Sequence, residues 1–338
     1  MTVPYTKDWA SLSKLNPEFE AILPAIGGFQ LVTPGVTTLE GLRAFGKNQP
    51  PTPLWPEVLE EDIQIPVRDG SSNRARVYCP TATVNGGKPL AVFAFGGGYV
   101  SGQLETEEIN CRTWVKKFGG VAVSIGYRLS PEYPWPGSHE DMYDAVNWIA
   151  SNHQHLDADP SKGFILSGTS SGATTMMAIT HLWRDEVLAP PLTGIFVSIP
   201  RSYHSLSGLP EKYVHRDISY EQNKDGPVFN ETVSKFLGSF VKTDPLDPLS
   251  APLLWPTGHK NLPPMYMVVA GADRWRDSGL LYEEVLREEA GVKTKLDIFG
   301  GLIHGFWGFF PAANFSKEYR KKVEEGLEWL VEQSRIVG

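Results

Sequence analysis

Cysteine is nearly absent from this chain: Cys79 and Cys111 are its only two in 338 residues. Two cysteines make no disulfide framework, and their separation is not a metal-ligand spacing. A reducing compartment is the simpler expectation. No run approaches eighteen consecutive apolar residues, so no helical membrane span is expected. The first residues, Met1 to Trp9, lack a basic stretch followed by an apolar one. That argues against a secretory leader and for a cytoplasmic protein; the sequons at Asn230 and Asn314 then read as chance. Positive charge is in deficit, with 31 Lys and Arg against 39 Asp and Glu, a net of −8. Such a surface repels phosphate backbones, which excludes nucleic acid as an expected partner. Glycine and proline occur without a repeat, so collagen-like and low-complexity classes fail too.

What the chain does have is a globular composition, 41% hydrophobic and 21% charged, which excludes a disordered chain. Ten Trp, twelve Tyr and sixteen Phe point to a large core, an aromatic-lined pocket, or both. Residues 1–50 read as helical pieces broken by Pro17, Pro24 and Pro34. Trp9, Leu12, Leu15, Phe19 and Leu23 recur at three- and four-residue steps, an amphipathic helix signal. Residues 48–56 hold four prolines and read as a linker. An alternating pair, residues 63–68 and 75–79, follows around a turn at Asp69-Gly70 and predicts antiparallel strands. The run from Pro89 to Phe95 is apolar throughout, as in a strand buried on both faces. Strands and helices then alternate, which predicts an α/β fold with a mostly parallel sheet flanked by helices. Residues 201–262 break the rhythm and read as an insertion. The expected organisation is one compact unit, with a core of residues 51–200 and 246–338. Residues 1–50 and 201–245 would form a helical lid over the sheet edge where such folds place their sites.

The strongest motif is Gly168-Thr169-Ser170-Ser171-Gly172, between an apolar strand and a helix. That context suits a nucleophile elbow, in which small neighbours let the turn lift the serine hydroxyl clear of the sheet. The alternative is a glycine-rich helix start with a capping serine. A serine needs a positioned base. His304 lies in a Gly-rich loop just after a predicted strand, whereas the other seven histidines fall on or beside helices or in the insertion. The acid candidate is Asp273, directly after the strand Met265–Val269; its neighbour Asp277 fits a helix N-cap better. Phe95-Gly96-Gly97-Gly98-Tyr99 follows a strand and offers backbone amides to a substrate oxygen. It lacks the Lys-Ser/Thr of a phosphate-binding loop.

These residues resemble the hormone-sensitive-lipase-like branch of the α/β-hydrolase superfamily over nearly the whole chain. Tyr127-Arg-Leu-Ser-Pro-Glu132, Asp273 to Asp277 and His304-Gly-Phe306 match its segments. Leu209-Pro-Glu-Lys-Tyr213 and Ser219-Tyr-Glu-Gln-Asn223 are similar to fungal esterases of polyketide secondary metabolism. The resemblance implies an eight-stranded sheet with a helical lid and a catalytic triad of Ser170, Asp273 and His304. It also implies an oxyanion hole from the amides of Gly97, Gly98 and Ser171, and no cofactor. Four departures cluster at the site. The usual loop histidine is Phe95, and the acid before the nucleophile is Thr169, with Ala173 closing the motif. Asp-Pro-Leu is Asp273-Arg274-Trp275, and Ile303 stands where proline precedes the histidine. Loss of the loop histidine and the acid removes hydrogen bonds that hold the oxyanion loop, so a looser loop is expected.

The leading expectation is a serine hydrolase cleaving a carboxylic ester of a small hydrophobic or polyketide-like molecule through an acyl-enzyme. A second keeps the fold but promotes cyclisation or elimination, with His304 as general base. A third is a small-molecule binding protein, because a plant hormone receptor belongs to this branch; that receptor lacks the histidine that this chain keeps. Tyr99, Tyr203, Trp275 and Phe306 are the expected substrate-pocket aromatics, with core packing the competing reading for Phe306 and Trp307. No metal is expected, and homo-oligomerisation is left open.

Overall fold

The apolar runs of the sequence become the central strands of the sheet, and the alternating pair becomes its first two strands. The computed structural model describes residues 1–27, 30–35, 37–48, 52–204 and 206–337; residues 49–51 of the proline-rich linker lie outside that set. The strands are β1 (Val58–Pro66), β2 (Ser72–Pro80), β3 (Leu90–Ala94), β4 (Val121–Ile125), β5 (Phe164–Thr169), β6 (Gly194–Ser198), β7 (Met265–Ala270) and β8 (Thr294–Phe299). They form one eight-stranded sheet in the order β1-β2-β4-β3-β5-β6-β7-β8. The β1–β2 and β2–β4 pairs are antiparallel and all the others parallel. Every residue of β3, β4, β6 and β7 is buried, because helices cover both faces.

The helices are α1 (Pro17–Ile22), α2 (Leu39–Lys47), α3 (Glu108–Phe118), α4 (Gly137–Ser151), α5 (Ser171–Asp185), α6 (Glu211–Val214), α7 (Ser219–Gln222), α8 (Glu231–Val241), α9 (Arg276–Glu284), α10 (Phe306–Phe309) and α11 (Asn314–Val337). Strand periodicity decides which helix each side chain meets. Leu90, Val92 and Ala94 of β3 join Met142, Val146, Met176 and Leu280 of α4, α5 and α9. Ala91 and Phe93 face the other way, into a core with Trp114 of α3 and Tyr319 and Leu327 of α11. Each such large side chain contributes roughly 1.5–3 kcal/mol by burial.

The parallel strands β3, β5, β7 and β8 all end at the same sheet edge. The segments that follow them carry Gly96 to Gly98, Ser170, Asp273 and His304. The N-terminal segment is tied to that edge by backbone bonds: Gly301 N donates to Leu12 O (2.7 Å) and Asn16 N to Gly301 O (3.1 Å). A bridge between Gln30 and Val228 joins it to the insertion. The expected amphipathic run at 9–23 is split at Pro17. Trp9 and Leu12 belong to one hydrophobic core and Phe19 to the other.

Candidate active site

Ser170 sits at the tip of the turn between β5 and α5 with φ 53° and ψ −117°. Such a backbone is sparsely populated for a non-glycine residue and costs of order 1–3 kcal/mol. The surroundings enforce it. Ser170 N donates to Ser198 O at 2.9 Å, and Thr174 N donates to Ser170 O at 3.0 Å. The flanking glycines are set by contact: a Cβ on Gly168 would lie 2.5 Å from the Gly172 carbonyl carbon, and one on Gly172 would lie 2.4 Å from Ala94 O. That is the physical content of the pattern read in the sequence.

His304, in the loop after β8, faces the serine. Its Nε2 is 2.9 Å from Ser170 Oγ and its Nδ1 is 2.6 Å from Asp273 Oδ2. In the tautomer this chain requires, Nδ1–H donates to the carboxylate and the serine hydroxyl donates to Nε2. The other carboxylate oxygen of Asp273 accepts from Trp275 N at 2.9 Å. All three residues are buried. The imidazole lies against the Phe229 ring at 4.4 Å and the Trp275 ring at 4.9 Å, which fixes its plane.

The glycine loop bends beside the elbow. Gly97 and Gly98 have φ 132° and 62°, and the amides of Val100 and Ser101 both close onto Gly97 O at 3.1 Å. Neither Gly97 N nor Gly98 N donates to a described residue. Ser171 N, in the first turn of α5, has no intrahelical acceptor either. The arrangement leaves these three amides available to an oxyanion. Other contacts stand where the family's loop histidine and acid would make theirs. The Phe95 ring stacks on Tyr127 at 4.2 Å, and the Tyr127 hydroxyl donates to Phe95 O at 2.8 Å. From above, Arg43 of α2 donates to Val100 O (2.7 Å) and Ser130 O (2.8 Å) while pairing with Glu132. Beneath the elbow, Glu107 is buried. Burial raises its carboxyl pKa, and hydrogen bonds from Asn110 and Thr169 offset part of that rise.

A cleft of about 790 Å³ opens over Ser170 and His304. Its walls include Leu42 and Phe45 of α2, Leu237 of α8, and Phe229, Trp307 and Phe309. Both segments expected to form the lid thus contribute to it. Of the four expected pocket aromatics only Trp275 lines this cleft. Tyr99 is buried with its hydroxyl 3.2 Å from Thr175 Oγ1; burial lifts that hydroxyl's pKa to about 12, and the ring borders a smaller adjoining chamber. Tyr203 is a correction. It is buried near Asp217 and Asp277, outside the residues that line the cleft or the chamber, while Arg201, two residues earlier, borders the chamber. Phe306 is a second correction. It packs into the core against Phe315 and Tyr319, and its neighbour Trp307 reaches the cleft, stacked on Tyr319 at 3.9 Å.

Asp277 is not the N-cap expected of it. Helix α9 starts one residue before it, and its fully buried carboxylate accepts from Ile218 N (2.8 Å) and Ser219 N (2.7 Å) while pairing with Arg276. It clamps α7, whose neighbour Asn223 donates to the Asp273 carbonyl at 3.0 Å. Among the described residues no cluster of three or more His, Cys, Asp and Glu side chains is placed to hold a metal ion. Among them, too, no helix is long and apolar enough to cross a membrane.

A Ser–His–Asp chain at an elbow, on the edge of a mostly parallel eight-stranded sheet, defines a class, and comparison with known proteins agrees. The family model described as the alpha/beta hydrolase fold matches residues 91–308. The chain belongs to that family, in its hormone-sensitive-lipase-like branch. It is 32% identical to an AB hydrolase superfamily protein of Schizosaccharomyces pombe, over 94% of each chain. It is 30% identical to the versiconal hemiacetal acetate esterase of Dothistroma septosporum, over 86% of this chain and 87% of that one. Among solved structures it is similar to vibralactone cyclase, with a TM-score of 0.87 and 31% identity over 99% of this chain and 98% of the other.

Proposed function

We propose that this protein is a serine carboxylic ester hydrolase acting on a small hydrophobic or polyketide-like ester. The observation that carries the reading is the unbroken hydrogen-bond chain from Asp273 Oδ2 through His304 to Ser170 Oγ. Ser170 Oγ attacks the acyl carbon as His304 Nε2 takes its proton, and Asp273 stabilises the imidazolium. The Gly97, Gly98 and Ser171 amides receive the developing oxyanion. Collapse expels the alcohol, protonated by His304, and leaves Ser170 acylated. Water, deprotonated by His304, then attacks the acyl-enzyme; the acid departs and Ser170 regains its proton. The apolar walls favour a compact substrate over a charged polymer. A fluorophosphonate tests the site: it should label Ser170, and His304→Ala should abolish labelling. Absence of label on the wild-type protein would reject the nucleophile.

A second reading has one specific observation in its favour, the similarity to vibralactone cyclase along almost the whole chain. Here the substrate closes on itself in place of hydrolysis, with His304 as the base and Ser170 dispensable. Turnover in isotopically labelled water separates the two. Hydrolysis places one labelled oxygen in the released acid, whereas cyclisation incorporates none and persists in Ser170→Ala.

A further inference from the structure

Beside the cleft lies a second chamber of about 230 Å³ whose chemistry differs from the cleft's. The two share Gly98, Leu237 and Trp275. Arg201 enters the chamber just beyond β6, and its backbone is locked to the elbow through Thr174. The Thr174 hydroxyl donates to Arg201 O at 2.8 Å and lies 3.3 Å from Ser170 O, while Arg201 N donates back to Thr174 Oγ1 at 3.2 Å. The guanidinium carbon is 5.0 Å from the Trp275 ring centroid, and that ring is itself 4.9 Å from the His304 ring. The chamber is therefore one indole away from the catalytic imidazole.

The charge in this chamber is uncompensated. Although the chain carries 39 acidic residues, Arg201 has no carboxylate partner among the described residues. Its one side-chain hydrogen bond runs from Nη2 to His204 Nε2 at 2.9 Å. Burial, with Arg201 adding to it, lowers the His204 pKa to about 2, so the imidazole is neutral and accepts. Burial also lowers the guanidinium pKa from its ordinary value, the mark of a cation lacking a counter-ion. The buried Oγ of Ser234, which borders the same chamber, has no hydrogen-bond partner among the described residues. Lys242 stands exposed at its rim. A half-buried guanidinium with unused N–H donors, beside an unpartnered hydroxyl, is placed to receive an anion.

We infer that this chamber is a carboxylate subsite: the natural ester carries a carboxylate that Arg201 receives while its scissile carbonyl lies at Ser170. One guanidinium balances one negative charge, and its planar fork matches a carboxylate, which suits this small space better than a doubly charged phosphate. The inference rests on the hydrolase reading for the position of the scissile bond. Trp275, where the family's usual segment has leucine, is the wall shared by both compartments.

Two matched ester pairs test it. One pair is p-nitrophenyl valerate against the p-nitrophenyl monoester of glutarate, with the charge on the acyl side. The other is benzyl acetate against 4-(acetoxymethyl)benzoate, with the charge on the alcohol side. In at least one pair the carboxylate ester should have the higher kcat/KM, by about tenfold to a hundredfold, the range of a charge-assisted hydrogen bond. Arg201→Gln should erase that ratio and Arg201→Lys should keep part of it. A binding arm needs no turnover. Glutarate or 4-methylbenzoate should bind the Ser170→Ala protein in calorimetry and lose affinity at least tenfold in Ser170→Ala/Arg201→Gln, with circular dichroism confirming that the double variant is folded. No carboxylate preference in either pair, or a preference or affinity untouched by Arg201→Gln, would overturn the subsite. Loss of Ser170-dependent turnover on the neutral esters would overturn the hydrolase reading instead, and the binding arm would still decide the subsite.

Discussion

Replacing Gly97 by alanine tests the oxyanion loop at its tightest point. The new Cβ would lie 2.1 Å from Ser101 O and 2.5 Å from Ser101 C. These are backbone atoms and cannot swing aside, so the loop must move. The residue also has φ 132°, a conformation that costs an L-residue about 1–3 kcal/mol. Movement withdraws an amide whose partner exists only in the transition state, so kcat should fall and KM should change little. Loss of one such donor costs about 10²–10³ in kcat, or roughly 3–4 kcal/mol. The assay is steady-state hydrolysis of p-nitrophenyl butyrate, with thermal unfolding measured alongside. Gly258→Ala is the control: it has φ 71° with nothing within 4 Å of its Cβ. It should therefore carry the backbone strain without the clash and keep its kcat. A Gly97→Ala protein with wild-type kcat would refute the assignment of this loop.

Three further outcomes are expected. Asp273→Asn keeps the shape but removes the charge that holds the His304 tautomer, and kcat should drop about 10⁴-fold; a loss under tenfold would contradict the role. Tyr127→Phe removes the hydroxyl that holds Phe95 O, and should lower stability by about 0.5–1.5 kcal/mol and kcat with it; unchanged urea midpoint and kcat would show the stack alone suffices. His139 and His181 are buried, and burial lowers their pKa values to about 3 and about 2. Unfolding restores values near 6.5, so below that pH the unfolded chain binds protons the folded one does not. Stability should then fall with falling pH by about 1.4 kcal/mol per unit for each histidine. Equal urea midpoints at about pH 7.5 and pH 5.5 would contradict the linkage.

The sheet and the juxtaposition of Ser170, Asp273 and His304 were legible because each depends on local pattern. Apolar runs mark β3, β5 and β7, and Gly168, Gly172 and the serine between them record backbone contacts within a single turn. His304 and Asp273 stand out because each follows a strand that must end at the same sheet edge. The pocket was legible only in part, at Trp275, because its lining depends on direction rather than adjacency. Arg201 and Tyr203 are two residues apart in a segment without regular structure, and of the two the arginine alone borders the chamber beside the cleft. Phe306 and Trp307 are neighbours on the single turn of α10, which sends one to the core and the other to the cleft. Phe95 looked like a lost hydrogen bond because its partner Tyr127 is distant in sequence. Asp277 looked like a cap because its real partners, Ile218 and Ser219, lie in the insertion.

The central claim is that Ser170 and His304 act as one nucleophilic unit, and a double-mutant comparison tests it most directly. Turnover of a neutral p-nitrophenyl ester should be measured for Ser170→Ala, His304→Ala and the double variant. Each single change should cost several orders of magnitude, about 10⁴–10⁶ in kcat, and the double change little more, because neither residue works without the other. Turnover retained in Ser170→Ala, or losses that multiply in the double variant, would contradict the account.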